Sequence, residues 1–138
     1  MASGKVHARH TASAALVVGA VCVWQGWTLW HAVGVLAGVI ITPDLDLIEN
    51  GGLYALTVIR RVPVLGRPLA FAYRWYWHLY GKLYKHRSKA SHLPIVGTAI
   101  RLLYAFWWLA ILPDSVFYYS FAVGLAIADT LHLVDDLR

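Results

Sequence analysis

Long apolar runs alternate along this chain with short blocks crowded with histidine, aspartate, arginine and lysine. From Thr11 to Pro43 the only acidic or basic side chain is His31, and the run is too long for a single span of about 20 residues. Its one polar, breaker-like patch is Gln25-Gly26-Trp27-Thr28, ringed by Trp24, Trp27 and Trp30. Tryptophan favours the lipid-water boundary, so the pattern predicts a hairpin turning at that patch, with arms at about 8–24 and 29–43. A second apolar run, Leu93 to about Val134, is interrupted by Pro113-Asp114-Ser115, where proline stops one helix and Asp or Ser caps the next. It predicts arms at about 93–112 and 115–136. The expected fold class is an all-α membrane protein: four transmembrane helices arranged as two hairpins in a single helical membrane domain, 1–138.

The segment between the hairpins, 44–92, has another character. Arg74, His78, Lys82 and Lys85 recur at helical spacing beside a second stripe of Phe71, Trp75, Leu79 and Leu83. This predicts an interfacial amphipathic helix with its aromatic side in lipid. Composition agrees with a membrane setting: 59% of residues are hydrophobic, 14% are charged, and the mean hydropathy is +0.58. The net charge of +5 could suit nucleic acid, but topology explains it better. With four spans, both termini and 44–92 share one side, all twelve Lys and Arg fall there or, for Arg101, in the first turns of a span starting there, and the two aromatic tips carry none. The positive-inside rule makes that side cytoplasmic. Residues 1–24 look like a signal peptide but offer no convincing small-x-small cleavage site, and the segment is kept in the mature protein. The lone Cys22 excludes an internal disulfide and any multi-cysteine zinc cluster, leaving imidazole and carboxylate as metal ligands.

The same parity of crossings gathers the polar blocks. His7 and His10 open span one, Asp44 and Asp46 close span two, His86-Arg87-Ser88-Lys89-Ala90-Ser91-His92 leads into span three, and Asp129, His132 and Asp136 lie at the end of span four. Asp129, His132 and Asp136 are three and four residues apart, one stripe of a helix, whereas Asp135 points elsewhere, into solvent. Ionisable groups at span ends are costly unless paired or functional, and His with Asp is a ligand set for zinc, manganese or non-haem iron. His10 and Asp129 are candidates to fix imidazole tautomers behind the ligands, and His31 and His78 are read as interfacial.

Ser3-Gly4-Lys5-Val6-His7, Pro43-Asp44-Leu45-Asp46, the His86 to His92 block and His132-x-x-x-Asp136 resemble, in order and over nearly the whole chain, the YdjM-like inner-membrane metal-dependent hydrolases. The resemblance is closest to a branch of metal-binding membrane proteins of unknown function. It implies a cytoplasmic-facing metal site carried by His7, Asp44, Asp46, His86, Arg87, His92, His132 and Asp136.

From these residues the leading expectation is a hydrolase acting on an amphiphilic ester or phosphoester. Zinc is the foremost metal, with manganese or iron as alternatives. His7, Asp44, His86, His92, His132 and Asp136 are the expected ligands, Asp46 the proton acceptor, and Arg87 the holder of developing negative charge. The rival is a non-catalytic metal-binding accessory or assembly subunit of a larger membrane complex. Expected partners are membrane lipids and a homo-oligomer or larger membrane complex, not nucleic acid. A haem or chlorin protein is disfavoured, because the histidines travel with aspartates at span ends.

Overall fold

The computed structural model describes residues 3–50, 53–83, 94–106 and 115–137. Among them the regular structure is entirely helical: α1 (Gly4–Gln25), α2 (Trp30–Ala37), a 3-10 helix (Pro43–Asn50), α3 (Tyr54–Arg60), α4 (Gly66–Leu83), α5 (Pro94–Phe106) and α6 (Ser115–Asp136). The end of α1 follows directly from its sequence. Gly26 takes the left-handed conformation (φ 66°), which lets the Trp27 N–H reach the Cys22 carbonyl at 2.8 Å and closes the last turn. The expected turn at residues 25–28 is therefore where the helix stops.

Among the described residues two helices, not four, are long and apolar enough to cross a membrane: Gly4–Gln25 and Val116–Asp136. The expected span 29–43 is an α-helix for only 8 residues, about 12 Å at 1.5 Å per residue, against a hydrocarbon core of about 30 Å. Beyond Ala37 come Gly38, the β-branched run Val39-Ile40-Ile41-Thr42, and Pro43. These disfavour a continuous helix, and the chain tightens into turns in which Val39 N–H reaches Leu36 and Ile40 N–H reaches Ala37. Of the expected span 93–112, residues 94–106 are described, as the 13-residue α5; residues 93 and 107–112 lie outside the described set.

Contacts along their length show that α2 runs parallel to α6, with α1 antiparallel to both. Trp30 meets Phe117 edge-on with ring centroids 4.5 Å apart, and His7 at the start of α1 lies against the end of α6. Between these ends α2 and α6 touch backbone to backbone. A Cβ added to Gly34 would lie 2.2 Å from the Phe121 carbonyl oxygen, one on Gly124 would lie 2.0 Å from that of His31, and one on Gly38 would lie 2.3 Å from the Ala128 Cβ. Gly34-x-x-x-Gly38 facing Gly124-x-x-x-Ala128 is the small-residue pairing that lets helices approach closely without a hydrophobic driving force between them.

The remaining helices form a second body against the 3-10 helix. α4 turns Ala70, Trp77 and Tyr80 inward onto Leu45 and Ile48, and Trp77 stacks on Tyr104 of α5 at 5.1 Å. Tyr76 donates to the Ala105 carbonyl at 2.9 Å, and Tyr104 donates back to that of Tyr76 at 2.7 Å. Tyr73 donates to the Ile40 carbonyl; burial pushes its phenol well above the ordinary tyrosine range, so it remains a donor. The aromatic row expected to face lipid does face outward: Phe71, Trp75, Leu79 and Leu83 are all exposed.

The glycine crossing makes a direct prediction. Gly124→Ala drives a methyl into backbone and is expected to cost about 1–3 kcal/mol. Gly19→Ala, whose methyl would meet only the Ala32 Cβ at 3.6 Å, is expected to stay within about 0.5 kcal/mol of the parent. Thermal unfolding of the two variants in detergent compares them.

Candidate metal centre

Three segments converge at the end of the bundle where α1 begins and α6 ends. α1 supplies His7 from its first turn, α6 supplies His132 and Asp136 one turn apart, and the junction of α2 with the 3-10 helix supplies Thr42 and Asp44. Thr42 caps that helix, its Oγ1 accepting from the Asp44 N–H at 3.4 Å, which holds Asp44 at the rim. The His7 and His132 rings stack with centroids 3.8 Å apart and an interplanar angle of 18°. Both are buried, while Asp44 and Asp136 are partly open, with side chains 23% and 21% exposed.

The distances around the stack are informative. His7 Nε2 lies 3.3 Å from Asp136 Oδ1; His132 Nε2 lies 3.5 Å from Asp44 Oδ1 and 3.7 Å from Asp136 Oδ2. One ligand atom from each of His7, His132 and Asp136 fits within 4.8 Å of the others. The other nitrogen of His7, Nδ1, faces Asp135 Oδ2 at 3.4 Å, without hydrogen-bond geometry. His7 thus has a carboxylate at each nitrogen, and a neutral imidazole carries only one N–H. Whichever nitrogen lacks the proton points a lone pair at a carboxylate oxygen, and a cation between them turns that repulsion into attraction. The donor set and its spacing fit a metal ion.

Asp135 departs from expectation. It is buried, not solvated, because His10 and His7 of α1 lie against it: His10 Nδ1 donates to its Oδ2 at 2.8 Å, while His7 stands at 3.4 Å. Asp129 departs in the other direction. It fixes no imidazole tautomer; it accepts from Arg101 and Thr98 of α5 inside the protein, the Arg101 and Asp129 side chains being 0% and 1% exposed. Arg101 is accordingly an internal ion-pair partner in the eighth position of α5, not a boundary charge. Its apolar flanks in sequence carried no sign of a partner; only Asp129, itself lodged in an apolar run, could have suggested one.

The expected proton acceptor Asp46 lies two residues past Asp44 and is buried. In a 3-10 helix a two-residue step turns about 240°, so the pair cannot share one face, and the measured approach to His132 comes from Asp44. His86, Arg87 and His92 lie outside the described residues. His78 pairs with Glu49, and His31 Nδ1 lies 3.0 Å from the Thr28 carbonyl. A cavity of about 20 Å3, room for one water, opens beside the two imidazoles against Thr11, Thr42, Asp44 and Tyr54.

A family model described as "Uncharacterized metal-binding protein (DUF2227)" matches residues 2–119. The chain belongs to this family. The DUF2227 match contains His7, Asp44 and Asp46, together with the block bearing His86, Arg87 and His92; it ends before His132, Asp135 and Asp136, which enter the centre by geometry alone. DUF2227 membership carries metal binding, and it does not carry the hydrolase assignment that the motif resemblance implied. No curated protein and no solved structure matches the chain.

The two corrected aspartates separate experimentally. Asp129→Asn removes the buried carboxylate that faces Arg101 and is expected to cost about 3–5 kcal/mol of stability. Asp135→Asn weakens the support behind His7 and is expected to reduce metal affinity by about 10- to 100-fold with little change in stability. Thermal unfolding and metal titration of each variant give the comparison.

Proposed function

We propose that this DUF2227 protein holds one divalent cation between His7 Nε2, His132 Nε2 and a carboxylate oxygen of Asp136, with Asp44 as fourth donor. The observation that carries the reading is the convergence of these lone pairs at 3.3, 3.5 and 3.7 Å. Zinc bonds of about 2.0–2.2 Å in a tetrahedral site put neighbouring ligand atoms about 3.3–3.6 Å apart, so zinc is the metal favoured here over manganese or iron. Such an ion ties the first turn of α1, the end of α6 and the α2 junction to one point. The role best supported is a metal-clamped helical protein that acts by association, the accessory or assembly function.

A membrane setting is part of the proposal. Only 22% and 39% of the most apolar stretches of α1 and α6 are buried, unlike the core helices of a soluble protein. Leu16, Val17 and Val23 point outward at 78%, 64% and 71% exposure. With the basic residues concentrated outside these two helices, the positive-inside rule favours a cytoplasmic metal end in an inner (plasma) membrane.

A second reading, hydrolysis of an amphiphilic ester or phosphoester, is favoured by two observations: the water-sized cavity beside the imidazoles and the open edges of Asp44 and Asp136. When bound, the ion would supply an acidified water. Asp44, already at the rim, would take its proton; Asp46 and Arg87 keep the roles of reserve base and anion holder as proposals.

Elemental analysis of protein purified in detergent decides the first reading, with about one divalent ion per chain expected. His7→Ala and His132→Ala should each lose it, and chelation should lower the unfolding temperature of the parent but not of these variants. Full metal content in both variants would remove the ligand assignment. Turnover of ester or phosphoester substrates by the loaded parent, lost in Asp44→Asn without loss of metal, would select the hydrolytic reading over the clamp.

A further inference from the structure

The turn joining α3 to α4 exposes what a turn ordinarily hides. Arg60-Arg61-Val62-Pro63-Val64-Leu65-Gly66-Arg67 puts four apolar residues between arginines, and Val62, Val64 and Leu65 are 43%, 96% and 56% exposed. Val64 also sits in the left-handed region, at φ 62°, where a β-branched side chain is a true outlier among the non-glycine residues. A polar turn with glycine or asparagine at that position would be less strained and better hydrated. Here the backbone is held in an unfavourable conformation that projects an aliphatic side chain almost completely away from the protein, and strain of this kind clusters at functional segments.

The neighbouring surface continues the pattern. Phe71, Trp75 and Leu79 run along the outer face of α4 at 74%, 75% and 56% exposure, with Arg74 and Lys82 exposed along one edge of that row. Between α3 and α4 an open apolar cleft of about 540 Å3 is lined by Ile59, Val62, Leu69, Ala72, Trp75 and Tyr76, among others. Aliphatic tip, flanking arginines, aromatic row and open apolar cleft together present hydrocarbon bordered by positive charge. An anionic bilayer offers the complement: phosphates at one depth and acyl chains just below.

We propose that the Val62–Leu65 tip is a wedge that seats in an anionic phospholipid surface, with Arg60, Arg61 and Arg67 at the phosphate level and the α4 row lying along the acyl boundary. The wedge is separate from α1 and α6 and from the metal centre, and it stands whether or not His7 and His132 hold an ion. A second copy of the chain would bring its own net charge of +5 against the three arginines, whereas an anionic bilayer supplies phosphates and acyl chains at adjacent depths, which is why lipid is the occupant argued here.

The experiment places a nitroxide at position 64 in full-length Val64→Cys; the native Cys22 is 1% exposed and stays unlabelled. Collisions with oxygen and with a water-soluble nickel chelate are measured in vesicles of phosphatidylglycerol and in vesicles of phosphatidylcholine alone. The wedge predicts oxygen access severalfold above nickel access in the anionic vesicles, shallower immersion in the zwitterionic ones, and a shift of up to about 100-fold toward the withdrawn state in Arg60→Gln/Arg61→Gln/Arg67→Gln, since each arginine near such a surface is worth about fivefold. Leu65→Cys repeats the measurement should the label at 64 disturb the turn. Nickel access above oxygen access in the anionic vesicles would show the tip in water and overturn the proposal; exclusion of both reagents would show it under protein and overturn it equally.

Discussion

The backbone contact between α2 and α6 governs where everything else falls. Because Gly34, Gly38 and Gly124 carry no side chain, the two helices meet with carbonyl oxygens where Cβ atoms would be. Close approach leaves little freedom in register: Phe117 answers Trp30, Phe121 and Gly124 answer Gly34, and Ala128 answers Gly38. One further step along the same line brings Thr42 Oγ1 to 3.5 Å from His132 Nδ1, and Asp44 follows from the cap. A slip of one residue would rotate α2 by about 100° about its axis and carry Thr42 and Asp44 off the imidazole. The geometry of the candidate metal centre is therefore inherited from a contact one to two turns away, made by residues with no chemistry of their own.

A second constraint fixes α5 against α6. Arg101 and Asp129 are withdrawn from water together, with Thr98 donating a further hydrogen bond to the carboxylate. Burying such a pair gains little over an apolar pair of the same size, but leaving either partner alone is expensive, so the interaction specifies an arrangement more than it stabilises one. In an apolar helix face it forbids sliding, because any displacement would strand a charge. Asp129 precedes His132 by three residues, so the lock sits one turn before His132 and holds the α6 segment that carries it.

Much of this arrangement was legible in the sequence, and the failures have physical causes. Gly26 after an apolar run, amid tryptophans, marks the end of α1; His7 and His132 meet with their rings stacked, although among the described residues two helices, not the four behind that expectation, are long and apolar enough to cross. The outward aromatic row of α4 was visible as a period of four. Span counting failed at 29–43 because hydrophobicity alone was weighed; the β-branched run before Pro43 favours turns, and a helix of 8 residues resulted. The Gly34-x-x-x-Gly38 spacing was present as a signal for close helix packing and went unused. Asp135 was misjudged because the stripe argument considers one helix alone. It lies off the face of His132 and Asp136, yet α1 approaches from that side and brings His10 to it. Arg101 was read from its place near a span boundary, whereas its environment depended on which face of α5 met α6.

The centre also shows why a bundle would use three histidines and three aspartates where fewer would hold an ion. Asp44 and Asp136 face the imidazole nitrogens directly, whereas Asp135 stands behind His7 and is shared with His10. A carboxylate behind a ligand raises the ligand's basicity and fixes its ring, and His10, half exposed, supplies a donor that keeps Asp135 oriented from the water side. All of these α1 contributions lie within its first two turns. Nearby, Gly4 packs closely against Tyr54, where an added Cβ would lie 2.8 Å from the Tyr54 Cβ. The first two turns of α1 meet α6 through the His10–Asp135 hydrogen bond and through the approaches of His7 to Asp135 and Asp136. On the proposed reading an ion would link these atoms across chain segments more than a hundred residues apart and so couple its binding to the docking of α1 on α6. On that reading the metal would close the fold where α1 begins and α6 ends, and any chemistry would be built on that mechanical role.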